Sequence, residues 1–217
     1  MNEIIQFLAI AALPVLLAIT LHEAAHGYAA LRFGDPTAAQ LGRISLNPLR
    51  HIDLVGTVLV PLSIVLLSGA SFLFGWAKPV PVDFGRLRRP KHDMRWVAAA
   101  GPLANLVMAI GWALLFKFAA AVPDNIYTVA MERMADVGIN INLALLVLNL
   151  LPLPPLDGGR IVVSLLPMRQ AIAFSRLERW GFPILLLLMF SGLLGSVMWP
   201  LMNGLRFLFA IIFNFQP

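Results

Sequence analysis

His22, Glu23 and His26 are the residues whose types and spacing could do chemistry. They stand in Leu21-His22-Glu23-Ala24-Ala25-His26-Gly27, inside an apolar stretch long enough to cross a bilayer. Two histidines four residues apart share one face of a helix, about one turn from each other. From there both imidazoles can reach one metal ion, and zinc is the usual occupant of such a site. Glu23 follows the first histidine directly, where it can take a proton from a water activated by the ion. Short motifs recur by chance, so the setting matters. His, Glu and His inside a lipid-crossing helix each cost on the order of a few kcal/mol unless they are used or partnered. Satisfied polar residues packed between helices are the bland alternative.

A catalytic zinc needs three protein ligands and one open position. The chain has no cysteine, so thiolate ligands and disulfides are excluded. His51 and His92 stand in polar stretches beside arginine or lysine and read as solvated loop histidines. Asp157 is different. It lies in Asn149-Leu150-Leu151-Pro152-Leu153-Pro154-Pro155-Leu156-Asp157-Gly158-Gly159-Arg160, directly after an apolar segment. The prolines stop a helix by removing backbone donors, and the glycines permit a tight turn. Irregular backbone at membrane depth survives only where it is buried or lines a wet cavity. A plain helix-stop turn with a solvated aspartate is the competing reading.

The elements that must position these groups follow from composition. Of 217 residues, 59% are hydrophobic and 12% charged, with a mean hydropathy of +0.83. That is an all-α multi-pass membrane protein, a single domain over residues 1–217. The net charge of +5 does not point to nucleic acid, because the basic residues sit between apolar segments with no aromatic-interleaved patch. They read as topology determinants facing anionic headgroups of the lipid bilayer. Glu3 and the lack of a basic n-region favour a retained first helix. Residues 4–31 form a first crossing, and 32–51 are polar and broken. Within them residues 41–47 alternate in a way that could make a short strand or hairpin. Residues 53–76 are apolar but interrupted by Gly56, Pro61, Gly69 and Gly75. A basic loop (77–95), a crossing (97–122), a mildly acidic stretch with Asp124, Glu132 and Asp136, and a crossing (138–153) follow. A basic stretch over 160–179 leads into two last apolar segments, 181–198 and 200–215. The expectation is about five to six transmembrane helices with one re-entrant or broken apolar segment.

HExxH on a membrane helix followed by NxxPxPxLDGG resembles the site-2 protease family, the intramembrane zinc metalloproteases of peptidase family M50. The matching positions are His22, Glu23 and His26, then Asn149, Pro152, Pro154, Leu156, Asp157 and Gly158, with Ala100-Gly101-Pro102-Leu103-Ala104-Asn105 as a third patch. The resemblance implies that His22, His26 and Asp157 hold one Zn2+ per chain and that Glu23 is the catalytic acid/base. It implies that Asn149 and Asn105 help to hold the substrate or the oxyanion. The catalytic core would cover about residues 4–168, with 180–217 as two C-terminal transmembrane helices. Neither a PDZ insertion nor a nucleotide-binding module is seen, which fits a minimal form. The substrate would be a protein with a transmembrane helix, and the location an inner (cell) membrane of a bacterium.

Charge and metal constrain the topology together. If residues 53–76 cross fully, the histidine helix and the helix before Asp157 run antiparallel and their ligands lie near opposite faces. A zinc–oxygen bond of about 2 Å cannot tolerate that. If they dip in and return, the helices run parallel and every loop lysine and arginine except Arg133 falls on one side. The positive-inside rule favours this second arrangement, with five crossings, one re-entrant element and the active site toward the cytoplasm.

The reaction expected is zinc-dependent hydrolysis of a peptide bond in or near a transmembrane helix. Such a helix must unwind to be cut, and an exposed strand edge would hold it. Residues 41–47, with Ile44 at their centre, are the candidate edge. The rival function is a non-proteolytic membrane protein that binds or transports metal through the same His/His/Asp site. It would need symmetric halves with paired broken helices, and no such pairing is evident.

Overall fold

A computed structural model describes residues 2–51, 53–59, 63 and 78–215. The first helix, α1 (Asn2–Phe33), carries HExxH in its C-terminal half. A short helix α2 (Thr37–Gln40) follows, then a 3-10 turn at Pro48–His51 and a π-helical turn at Leu54–Leu59. Next come α3 (Pro90–Ala120), α4 (Ile126–Leu150), α5 (Asp157–Leu165), α6 (Met168–Ser175), α7 (Glu178–Phe190) and α8 (Leu193–Phe213). Proline at the start of α3 costs nothing, because its missing N–H has no helical partner there. Asn125 caps α4 by accepting from the Tyr127 and Thr128 N–H groups, and the Thr128 hydroxyl oxygen accepts from the Asn125 N–H.

Four helical stretches are long and apolar enough to cross a membrane among the described residues: Ala9–Phe33, Pro90–Ala120, Ile126–Leu150 and Leu193–Phe213. They expose large apolar side chains that water would penalise, such as Val107, Leu114, Phe118, Trp199 and Phe207. The chain is an integral membrane protein, and these side chains meet lipid. The interior between α3 and α4 is closed by small residues, Ala109, Ala113 and Ala135, with Trp112, Ile139 and Leu143 filling the gaps and Phe209 of α8 sealing one side. Small residues let helix backbones approach where lipid supplies no hydrophobic drive.

Side-chain pairings set the helix directions. His26 of α1 meets Val97 of α3, while His22, a turn earlier, meets Asn105, two turns later. α3 is therefore antiparallel to α1, and α4, which follows it by a short turn, is parallel to α1. The Phe33 carbonyl accepts from the Arg88 N–H at 2.9 Å, so the chain re-enters α3 beside the end of α1. The end of α1 and the start of α3 therefore lie side by side. Most of the 53–76 segment, read as re-entrant or broken, lies outside the described residues.

Three sequence expectations are corrected. Residues 41–47 form a turn and irregular backbone, and no strand occurs among the described residues. The acidic stretch before residue 138 is helical, because Glu132 and Asp136 belong to the first turns of α4. The last two apolar segments divide at Gly192, whose φ of +77° suits glycine, and Pro200 lies inside α8. α7 has 13 residues, about 20 Å of helix, which is short of a bilayer core.

Candidate metal centre and active site

Three elements converge on one point. α1 brings His22 and His26, the start of α5 brings Asp157, and α3 packs across both imidazoles. The two Nε2 atoms lie 3.1 Å apart, and each is 3.3 Å from Asp157 Oδ2. Ligands held tetrahedrally at about 2.0–2.1 Å from zinc lie about 3.3 Å from one another, so the triangle has the size the ion requires. His22, His26 and Asp157 are also the one group among the described residues able to hold a metal through three such side chains.

The protonation pattern sharpens the fit. His26 Nδ1 faces the Val97 carbonyl at 2.8 Å, and a backbone carbonyl can only accept. Nδ1 therefore carries the proton, and in the neutral ring Nε2 is a bare lone pair. His22 Nδ1 lies 2.6 Å from Asn105 Oδ1, again an acceptor. Both Nε2 atoms thus point lone pairs at a carboxylate oxygen, and buried Asp157 Oδ2 has no hydrogen-bond donor. Three acceptors around one point with no donor repel each other, and a cation at the centre resolves this.

Gly101 makes this packing possible. A Cβ on it would stand 2.4 Å from His26 Nε2 and 2.6 Å from His22 Cε1, so only glycine lets α3 lie against the rings. The Pro-Pro stop before α5 works differently from the turn expected from sequence. Gly158 and Gly159 lie within the first turn of α5, pressed against the backbone of residues 150–154.

Beside the triangle is a cavity of about 170 Å³ lined by Glu23, Asn149, Val80, Val82, Phe84 and Arg160, among others. Glu23 Oε2 accepts the Val80 N–H at 2.7 Å. That bond comes from an irregular segment, residues 78–83, which lines the cavity through Pro79, Val80 and Val82 and is tied at both ends. Lys78 N–H donates to the His51 carbonyl at 2.9 Å, and Asp83 N–H to Asp35 Oδ2 at 2.7 Å. Arg43 donates to the Lys78 and Pro79 carbonyls. Asp35 is fully buried, and its carboxyl is held below the usual range. Burial alone would raise it, but the Thr37 hydroxyl, Thr37 N–H and Asp83 N–H outweigh that.

Not every residue singled out from sequence reaches this place. Asn149 lines the cavity, with one amide hydrogen given to the Leu145 carbonyl at 3.0 Å. Asn105 does not: it is fully buried, its oxygen faces His22, and its amide nitrogen donates to Ala18 O and Asn142 Oδ1. With both hydrogens used it offers no donor to a substrate. Ile44 packs under α1, against the position a Gly27 Cβ would take, and lies on no strand edge. His51 is buried, not solvated, with Nε2 donating to the Ser45 carbonyl at 2.8 Å. His92 is half exposed and pairs with Asp93. Sequence reasoning missed Val80, Asp35 and Asn142. Only Asn142 carried a readable signal, as an amide in the middle of an apolar helix.

The model of peptidase family M50 matches residues 117–192, a stretch that carries Asp157 but not the two histidines. The chain is 37% identical over 208 residues to “Putative zinc metalloprotease YwhC” of Bacillus subtilis, an alignment that covers 94% of this chain and 91% of that one. It is 32% identical over 201 residues to “Putative zinc metalloprotease Rip2” of Mycolicibacterium smegmatis, covering 92% of this chain and 70% of the relative. The Mycobacterium tuberculosis protein of the same name, from strain H37Rv, is 30% identical over 189 residues, covering 87% and 66%. No solved structure matches. The chain belongs to peptidase family M50, the site-2 proteases.

Proposed function

We propose that this protein is a zinc metalloprotease that hydrolyses a peptide bond in or near a transmembrane helix of a membrane-protein substrate. The observation that carries the reading is the triangle of three donor-less lone-pair atoms, His22 Nε2, His26 Nε2 and Asp157 Oδ2, with Glu23 at its edge. His22, His26 and Asp157 would hold one zinc ion per chain. Bound there, zinc supplies Lewis acidity toward a scissile carbonyl and toward the attacking water.

The chain's own residues do the rest. The Val80 N–H holds one oxygen of Glu23, which leaves the other free to take a proton from the water and return it to the leaving amine. The second amide hydrogen of Asn149 has no partner among the described residues and is available to a developing oxyanion; losing one such donor costs about 10²–10³ in rate. The substrate-holding role first read on residues 41–47 passes to residues 78–83. Their Pro79-Val80-Pro81-Val82 alternation leaves amide hydrogens only on the valines. The Val80 carbonyl and the Val82 N–H have no partner among the described residues, and both residues line the cavity. An unwound substrate segment needs such partners for its freed backbone groups. The partners are thus a single-pass membrane protein and the bilayer, and the loop charges support an active site toward the cytoplasm.

Glu23→Gln tests the reading. The amide keeps shape and the Val80 bond but cannot take the proton, so cleavage of a single-pass helix should fall by roughly two to four orders of magnitude. Zinc content should stay unchanged. Wild-type cleavage by the variant would mean that another base does the work.

A further inference from the structure

Behind His22 lies a chain of hydrogen bonds with a forced direction. Its far end is the Gly138 carbonyl on α4, which can only accept. Asn142 Nδ2 donates to it at 2.8 Å. Asn142 must then turn its Oδ1 the other way, where Asn105 Nδ2 donates to it at 2.9 Å. Asn105 in turn presents its own Oδ1 to His22 Nδ1 at 2.6 Å. Both asparagines are fully buried at membrane depth, where an amide left unpaired costs several kcal/mol. A flip of either amide would set nitrogen against nitrogen and oxygen against oxygen.

We propose that Asn142 is a positioning residue for the metal site, acting through Asn105 to hold His22 in the tautomer whose Nε2 is a bare lone pair. This rests on the metalloprotease reading above. His26 needs no such relay, because Val97 O fixes it directly. His22 has no backbone carbonyl at its Nδ1, so its acceptor is a side-chain amide that could present either end. The Ala18 carbonyl also orients Asn105, but at 3.3 Å it is the longer of the two bonds. Without Asn142, Asn105 can turn its nitrogen to His22, whose proton then moves to Nε2. That proton would occupy the centre of the ligand triangle and compete with the ion. Outer partners of metal-binding histidines typically change metal affinity by about 10–100-fold.

Asn142→Leu, with the same branching and number of side-chain heavy atoms, removes the relay without touching the site. Zinc titration of the purified protein should show affinity weakened at least tenfold. In the zinc-free protein, 15N spectra of labelled histidine should show His22 as pure Nδ1–H in wild type and mixed with Nε2–H in the variant, while His26 does not change. Asn142→Ser, too short to reach Asn105, should do the same and covers the case in which the leucine variant fails to fold. Leu143→Ala is the packing control: it should lower the melting temperature and leave the His22 tautomer and zinc affinity as they were. Zinc affinity within twofold of wild type and an unmixed His22 tautomer in both Asn142 variants would overturn the proposal. If wild type itself bound no zinc, the metalloprotease reading would fail instead, and the tautomer spectra would still decide the relay.

Discussion

Two polar clusters, one near each end of α4, are built differently. Toward its N-terminus, Arg206 of α8 donates to Asp136 at 2.8 Å and to Asn140, and Asn140 donates back to Asp136. One cation, one anion and one amide close on each other, with each charge matched. Past the C-terminal end, His22, His26 and Asp157 gather three acceptors and no donor. Both clusters interrupt apolar helices, and both were costly to build. The closed one needs nothing more, and its product is a tether between α4 and α8. The open one has an unmatched set of acceptors, which a cation would complete. Polar groups in a membrane core therefore do not by themselves mark a site; the unmet balance of donors and acceptors does.

The largest way to break this contrast is Gly101→Ala. The added methyl would meet His26 Nε2 at 2.4 Å and push the rings off their common point. Zinc affinity and cleavage should each fall by about 10–100-fold, read by metal titration and by cleavage of a single-pass helix. An unchanged affinity would mean that α3 does not set the site. Arg206→Met opens the closed cluster by stranding Asp136. It should cost about 1–3 kcal/mol of stability and leave zinc content untouched, as followed by thermal unfolding in detergent. Loss of zinc in this variant would erase the distinction between the two ends. Arg206→Lys is the mildest change: it keeps the charge and loses the two-pronged geometry that reaches Asn140 and Asp136 together. A cost of about 0.5–1 kcal/mol is expected, and one as large as that of Arg206→Met would show that geometry, not charge, closes the cluster.

Much of the open cluster was legible in the sequence, because its parts are local patterns. Four-residue spacing fixes the two histidines on one face, and the proline stop fixes where α4 must end. The requirement that their ligands meet also points to a parallel α1 and α4, the direction that the bonds from α1 to α3 show. What could not be read depends on packing across distant segments. Asn105 looked like a substrate donor because its partners, Asn142 and Ala18, are named only when α3 lies between α1 and α4. Residues 41–47 alternate as a strand would, but they have no partner strand among the described residues, and alternation without pairing leaves a loop. Glu132 and Asp136 looked like loop residues because the charge that pairs with Asp136, Arg206, lies 70 residues away. The division at Pro200 failed because proline is tolerated within a membrane helix when its neighbours accommodate it, whereas Gly192 gave the turn.

Zinc K-edge X-ray absorption on the purified, zinc-loaded protein tests the central claim most directly. About one zinc per chain is expected, with two imidazole nitrogens and one carboxylate oxygen at about 2.0–2.2 Å. Asp157→Ala should lose the oxygen and most of the metal. A wild-type spectrum without imidazole scattering, or a protein that takes up no zinc, would contradict the account.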